Sequence, residues 1–510
     1  MVVLSSSVDV VMLFISESLY LASLYVAFYA MVLSYVIVFV GGFLRGRLNI
    51  IYEKIWISIG LINFSIDFIC YKIFKMGFNQ DMIGIIRATN IQEAKEFISM
   101  YFSWSSVTWL LVMIFIIIYL KEIISRINLC KVCQIIGFFI VIVGAAVANV
   151  KESSLLNRVF LRKVGSLITY ELPPKLTTFY SEFELNDIRE TDIPNVVVIF
   201  GESFSKSHSS LYGYGKITNP ALSKLKEDTM LYVYENVSAP ATNTISCFKQ
   251  FMSTYDSSSQ EAWYKHRTII EMLRKSGYNT FWISNQSQKG GYDNIVARYA
   301  ELCDTMFWVG NRFQGVNRTS YDEEILPILK DIKSNSLKKD KKKRTFFIHL
   351  MGSHYTFDKR FPKDFMQFKE SDYLDLKQGQ RKNISLYDNS ILYNDYVVNE
   401  IVNLFREDNV IIFYFSDHGL DLYNSSDVYI GHANSHPISI KSALSIPFMI
   451  YISKEFEEKN KYISDRIKKC VGIEWNTAYF PYLIMDVIGK DFGDSIVLKH
   501  SPFREIKIRG

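Results

Sequence analysis

Apolar residues follow two regimes along this chain. Up to about residue 150 they form long runs, with four stretches near 19–44, 55–75, 104–120 and 133–150 that meet the need for roughly 20 mostly apolar residues to cross a bilayer. The first carries no charge from Leu19 to Leu44 and the last none from Val132 to Val150, while the second contains Asp67. Beyond residue 190, short apolar runs alternate with amphipathic stretches. Asn195–Phe200, Asn279–Ser284, Thr345–Leu350, Val410–Phe415 and Pro447–Ile452 read as strands, and Thr268–Lys275, Glu323–Ile332 and Tyr387–Phe405 as helices. This alternation predicts an α/β sandwich with a mainly parallel sheet. Between the two regimes, Pro173 and Pro174 interrupt any continuing helix. The expected organisation is a transmembrane helical domain over 1–150, a linker over 151–190 and a water-soluble domain over 191–510.

Composition agrees with this division. A chain of 510 residues exceeds one ordinary domain, and its 49% hydrophobic content is concentrated in the first regime. The N-terminus lacks the basic region of a cleavable signal, so the first run is expected to persist as an anchor. Arg45, Arg47 and Lys54 lie between the first two spans, and Lys121, Arg126 and Lys131 between the last two. The positive-inside rule places both loops in the cytoplasm, and the 76–103 loop and everything after Val150 outside. Asp67 reads as a polar residue near the edge of its span, with no role assigned.

The charged run LKKDKKKR, ending at Arg344, supplies much of the net charge of +5 and reads as a solvated loop. No nucleic-acid reader motif accompanies it, and nucleic acid is excluded as a partner. Cys247, Cys303 and Cys470 fall in the outer domain, where an odd number permits one disulfide at most. Cys130 and Cys133 form a CxxC without a second pair and read as small apolar residues.

Candidate chemistry gathers behind the strands. Asp417 and His418 follow Val410–Phe415, Glu202 follows Asn195–Phe200, and His354 follows Thr345–Leu350, with His432 shortly beyond the Asp417–His418 pair. Carboxylate and imidazole suit zinc or a similar divalent cation, and open α/β sheets collect ligands at the carboxyl ends of their strands. The segment SAPATNTISC offers three candidate nucleophiles, Thr242, Thr244 and Ser246, in a loop before a helix whose N-terminus favours phosphate. Spacing alone does not choose among them. A hydroxyl is a poor nucleophile at neutral pH unless a metal or base activates it.

GESFSKSHSSLYGYGKITNP, SAPATNTIS, HLMGSH and SDHG, in that order, resemble the membrane-bound phosphoethanolamine transferases of Gram-negative bacteria, within the alkaline phosphatase and sulfatase superfamily. The resemblance covers nearly the whole chain. It implies a sulfatase-like periplasmic domain on an inner-membrane bundle, with zinc bound by Glu202, Thr244, Asp417 and His418 and a second metal in some members. Thr244 is the implied nucleophile, His354 and His432 assist, and Lys289 lies near the phosphate. Thr89 and Glu93 match a periplasmic segment that binds the lipid donor. The implied reaction takes phosphoethanolamine from phosphatidylethanolamine, through a phosphothreonine, to lipid A, a lipopolysaccharide core sugar or a periplasmic glycan. This chain departs from the family at Ile85, where many members have asparagine, in its four rather than five spans, in its few periplasmic cysteines and in lacking a proline after Thr244. The missing proline and the LYGYG run lean toward core-sugar or glucan acceptors. Rival readings are a glycerol-phosphate transferase, a phosphodiesterase, or a membrane protein that keeps the fold for binding alone.

Overall fold

A computed structural model describes residues 43–74 and 102–125, and most of 183–505 apart from 287, 289–294, 311–319, 337–342, 428, 433–435 and 494–495, with residues 41, 94, 95, 98 and 176 in addition. The chain divides into two compact units, Met1–Leu172 and Pro173–Gly510.

In the first unit, α1 (Arg47–Phe74) and α2 (Trp104–Ser125) coincide with the second and third apolar stretches. The stretches near 19–44 and 133–150 lie outside the described residues. Asp67, expected at the edge of its span, is instead fully buried within the unit. No helix among the described residues is long and apolar enough to cross a membrane by a joint test of length and hydropathy.

The second unit is organised by a seven-stranded sheet. Its strands are β1 (Asn195–Gly201), β2 (Leu231–Tyr234), β3 (Tyr278–Ser284), β4 (Thr305–Trp308), β5 (Lys343–His349), β6 (Val410–Ser416) and β7 (Phe448–Ile452), in the order β2-β7-β6-β1-β5-β3-β4. All pairs from β6 to β4 are parallel. The expectation of a mainly parallel sheet needs correction at one edge, because β7 runs antiparallel to both β6 and β2 and the sheet is mixed. Strand periodicity carries no direction, so Pro447–Ile452 gave no warning of this. The edge strands β2 and β4 went unread, being four residues each and only partly apolar. Lys343 and Arg344, assigned to a solvated charge run, open β5 and pair with Tyr278 and Asn279 of β3.

Alternate residues of the central strands serve opposite faces. Val196, Val198 and Phe200 of β1, Phe347 of β5, and Ile411, Phe413 and Phe415 of β6 join one core with α4 (Thr244–Phe251), α5 (Ile269–Lys275) and α9 (Phe480–Val487). The other face meets the 28-residue α7 (Gln378–Phe405): the Phe346 ring lies tilted against Phe405 with centroids 5.1 Å apart, and the Tyr414 hydroxyl donates to Asn394 at 2.8 Å. The remaining helices used below are α3 (Pro220–Glu227), α6 (Leu326–Ser336) and α8 (Pro437–Leu444). α7 begins nine residues before the Tyr387 start read from sequence, and the polar segment GQRKN near its beginning explains the omission. α6 is preceded by a 3-10 turn over Asp322–Ile325, which takes the first residues of the expected Glu323–Ile332 helix.

Phe200 is the aromatic hub where the strand ends meet α4. Its ring centroid lies 5.3 Å from those of both Phe248 and Phe251, 5.4 Å from Phe415 and 6.0 Å from Trp282. It is fully buried. Phe200→Ala is expected to destabilise the second unit by about 3 to 5 kcal/mol, read as a lower denaturant midpoint by tryptophan fluorescence.

Candidate metal centre and active site

The parallel pairings β1 with β6 and β1 with β5 bring three strand ends to one edge. Gly201 pairs with Ser416, so Glu202 and Asp417 leave adjacent strands side by side. A side chain at Gly201 would collide with the Tyr414 hydroxyl at 2.6 Å, which limits the position to glycine. Gly352 performs a similar service from the β5 side. Its φ of +51° favours glycine, and an added Cβ would lie 2.7 Å from the Glu202 nitrogen.

Glu202, Asp417 and His418 converge with one ligand atom from each within 4.8 Å of the others, and all three are buried. His418 Nε2 lies 3.5 Å from Glu202 Oε1 and 3.4 Å from Asp417 Oδ2. At those distances a protonated imidazole would form ion pairs, but burial lowers the His418 pKa to about 4. Its Nδ1 stands 3.0 Å from the Gly419 carbonyl, which only accepts, so Nδ1 carries the proton and Nε2 presents a lone pair. Two carboxylate oxygens and an imidazole lone pair therefore face one another.

Asp417 Oδ1 accepts from the His418 and Ser203 amides at 2.7 and 3.3 Å. Oδ2 is buried without a hydrogen bond. Burial pushes the Asp417 pKa up to about 6, against the nearby Thr244 hydroxyl, which favours the charged form. An orphan buried carboxylate oxygen beside two further lone pairs fits a divalent cation, and the mixed oxygen and nitrogen donor set suits zinc.

Thr244 opens α4. Asn243 caps that helix by accepting from the Ser246 amide at 3.0 Å, and Thr244 Oγ1 reaches His418 Nε2 at 3.3 Å. The structure thus separates Thr244 from the other two hydroxyl candidates. Thr242 instead offers its carbonyl to His432 Nδ1 at 2.6 Å. That bond fixes the proton on Nδ1, and the His432 ring lies 4.0 Å from that of His418. Burial, then the neighbouring His418, lowers the His432 pKa to about 3. His354 follows β5 in a turn where its amide donates to the Met351 carbonyl at 3.2 Å and its carbonyl accepts from Arg360 Nε at 3.0 Å, and its pKa is driven well below the usual range by burial first, then by Arg360, His432 and His418. Lys289, Thr89 and Glu93 lie outside the described residues. Cys247, Cys303 and Cys470 are free.

Other residues shape the site without having been read from sequence. Asp322 accepts from the Met351 and Gly352 amides and from Asn285 Nδ2, at 2.8, 2.9 and 2.8 Å, and so holds the turn leading to His354. Gln286 donates to the Leu350 carbonyl at 3.1 Å. These contacts join segments about 30 to 60 residues apart, and no local pattern announces them.

The mixed sheet with its ligand cluster behind parallel strands defines an α/β enzyme of the sulfatase type. The chain belongs to the sulfatase family, whose model matches residues 194–473. It is similar to phosphoethanolamine transferase EptC of Escherichia coli strain K12, 24% identical over 426 residues that cover 77% of this chain and 73% of the relative. EptA of Helicobacter pylori is 27% identical over 435 residues, covering 80% and 77%. Among solved structures, the integral membrane lipooligosaccharide phosphoethanolamine transferase A of Neisseria meningitidis aligns with a TM-score of 0.65 at 15% identity, over 95% of this chain and 91% of the other. The zinc complex of the C-terminal periplasmic domain of Escherichia coli EptC aligns with a TM-score of 0.56 at 23% identity, over 66% and 91%. Identities this low establish a shared fold.

Asp417→Asn tests the crowding of acceptors. Because burial raises the Asp417 pKa from 3.8 to about 6, its charged form costs the metal-free protein stability above that range and nothing below pH 3.8. The metal-free variant should therefore be more stable than the metal-free parent at pH 7 to 8, by on the order of 2 kcal/mol, with the gain vanishing toward pH 4. Chelator competition should show its zinc affinity lowered at least about 100-fold. Paired denaturation curves across pH read the first effect.

Proposed function

We propose that this protein transfers phosphoethanolamine from phosphatidylethanolamine to a cell-envelope acceptor through a phosphothreonine at Thr244. The observation that carries this reading is the Thr244 hydroxyl 3.3 Å from His418 Nε2, at the head of α4 and against the three-acceptor cluster. Similarity to proteins named phosphoethanolamine transferases over most of the chain supplies the transferred group.

Glu202, Asp417, His418 and Thr244 would hold one zinc ion, which would lower the pKa of the threonine hydroxyl and draw charge from the phosphoryl oxygens. Thr244 Oγ1 forms a bond to phosphorus while the bond from phosphorus to the diacylglycerol oxygen breaks. An acceptor hydroxyl or phosphate then attacks the same phosphorus, and the bond to Thr244 Oγ1 breaks. His432 keeps Nδ1–H on the Thr242 carbonyl, so its Nε2 is the basic nitrogen. In this reading it takes the threonine or acceptor proton and returns it to a leaving oxygen. His354 is the second proton carrier. Lys289 contacts the phosphate, and Thr89 and Glu93 receive the donor headgroup, with the Glu93 carboxylate pairing to its ammonium.

The same reading assigns residues 1–150 to an inner-membrane anchor, 151–190 to a linker and 191–510 to a periplasmic catalytic domain. Helix length and side-chain exposure support the anchor, although no helix among the described residues is long and apolar enough to cross a membrane. α2 is uncharged from Trp104 to Leu120, and Trp109, Leu111, Phe115, Ile118 and Tyr119 are exposed along it. Apolar side chains on several sides of one helix are suited to lipid. The acceptor is a lipopolysaccharide core sugar, lipid A or a periplasmic glycan.

Purified full-length protein supplied with zinc and phosphatidylethanolamine should yield a phosphoethanolamine adduct on the peptide containing Thr244, read by mass spectrometry. Thr244→Ala should lower transfer at least about 1,000-fold while the fold is retained. An adduct on another residue, or turnover by the alanine variant, sinks the assignment. Preference for phosphatidylglycerol would mark a glycerol-phosphate transferase, release of free phosphoethanolamine a phosphodiesterase, and a folded protein without zinc or turnover a binding protein.

A further inference from the structure

Ser203 follows Glu202 in the GES segment and occupies backbone space that serine seldom visits. Its φ is +56°, in the left-handed region, and it is buried. Such a conformation persists where surrounding contacts over-determine it, and it concentrates at functional sites. The contacts here are specific. The Tyr387 hydroxyl donates to the Ser203 carbonyl at 2.8 Å and accepts from the Ser205 amide at 2.7 Å, so a fully buried tyrosine of α7 clamps both sides of the turn.

The turn aims both donors of Ser203 at the acceptor cluster. Its amide donates to Asp417 Oδ1 at 3.3 Å and its hydroxyl to Glu202 Oε1 at 3.0 Å. With the His418 amide also on Asp417 Oδ1 at 2.7 Å, that oxygen is occupied and Oδ2 is left facing His418 Nε2. On Glu202 the hydroxyl instead donates to the oxygen that faces the same nitrogen, Oε1, while Gln286 Nε2 reaches Oε2 at 3.4 Å. One residue thus touches carboxylates that arrive on two strands. In an extended or helical backbone its amide and side chain would not both point inward.

We infer that Ser203 is a positioning residue for the metal centre, its strained turn and hydroxyl selecting which oxygens of Glu202 and Asp417 face the ion. This rests on the reading of those two carboxylates as metal ligands. Hydrogen bonds to ligating carboxylates typically govern metal affinity 10- to 100-fold, and that is the loss expected on deleting the hydroxyl.

Ser203→Ala and Ser203→Gly separate the hydroxyl from the strain. In the full-length protein, Ser203→Ala keeps the strained backbone without the hydroxyl, whereas Ser203→Gly also removes the cost of a positive φ. Both should bind zinc about 10- to 100-fold more weakly by chelator competition, and both should alter the visible absorption of the cobalt-substituted protein. Ser203→Gly should melt at or above the parent temperature when metal-free. Parental zinc affinity and cobalt spectrum in both variants would overturn the inference. Recovery of zinc affinity in Ser203→Gly alone would also overturn it, by reducing Ser203 to a backbone constraint. If the parent binds neither zinc nor cobalt, the ligand reading fails and the inference falls with it.

Discussion

Three hydrogen-bond acceptors forced together in a buried space, with no donor among them, are the constraint around which this site is organised. Glu202 Oε1, Asp417 Oδ2 and His418 Nε2 lie within 3.5 Å of one another in the two measured pairs that involve the imidazole. Buried carboxylates that meet a lone pair rather than a cation raise the energy of the folded chain. The imidazole does not relieve the repulsion by protonating Nε2 near neutral pH, since burial outweighs the Gly419 carbonyl, which favours the charged form. A cation removes the conflict without moving the backbone, which is why the cluster reads as a metal site rather than as a polar strand end.

The fold sustains this arrangement through close backbone approaches. Gly201 passes the Tyr414 hydroxyl, and Gly352 passes the Glu202 backbone. Gly419 lies against α8: its amide donates to the Ala443 carbonyl at 2.6 Å, and a Cβ there would stand 2.6 Å from the Ser442 carbonyl. Each glycine therefore sits next to a candidate ligand or beside the turn that carries one. Loops of this kind would be mobile if solvated. Here they are pinned by packing, and a cluster that repels itself requires such pinning to stay assembled.

What the sequence made legible follows from how local each signal is. β1 and β6 were readable because NVVVIF and VIIFYF are short runs of β-branched and aromatic residues bounded by polar ones. Glu202, Asp417 and His418 were readable as a group because each directly follows such a run. The antiparallel β7 was not, since pairing direction is decided by what the connection crosses rather than by the strand itself. Ser203, Tyr387 and Asp322 were equally hidden. Their roles depend on partners such as the Ser203 carbonyl, 184 residues from Tyr387, and the Gly352 amide, 30 residues from Asp322.

The choice of nucleophile shows how three adjacent residues divide the work of one loop. Thr242 gives its carbonyl to His432, which sets the tautomer of that imidazole. Asn243 accepts from the Ser246 amide, which starts α4 at a fixed place and orientation. Thr244, the first residue of that helix, is thereby turned so that its hydroxyl meets His418. A shift of one residue in this register would put a helix cap where the Thr244 hydroxyl meets His418 and leave His432 without its carbonyl partner. Sequence spacing offered three hydroxyls of similar standing, and the distinction among them comes from the cap. Because Phe251 of the same helix stacks on Phe200 at the end of β1 and Phe248 packs tilted against it, the threonine is referenced through packed rings to the strand that presents Glu202. The Thr244 hydroxyl and the candidate ligands are therefore held in one packed frame, the condition under which the proposed nucleophile becomes an effective attacking group.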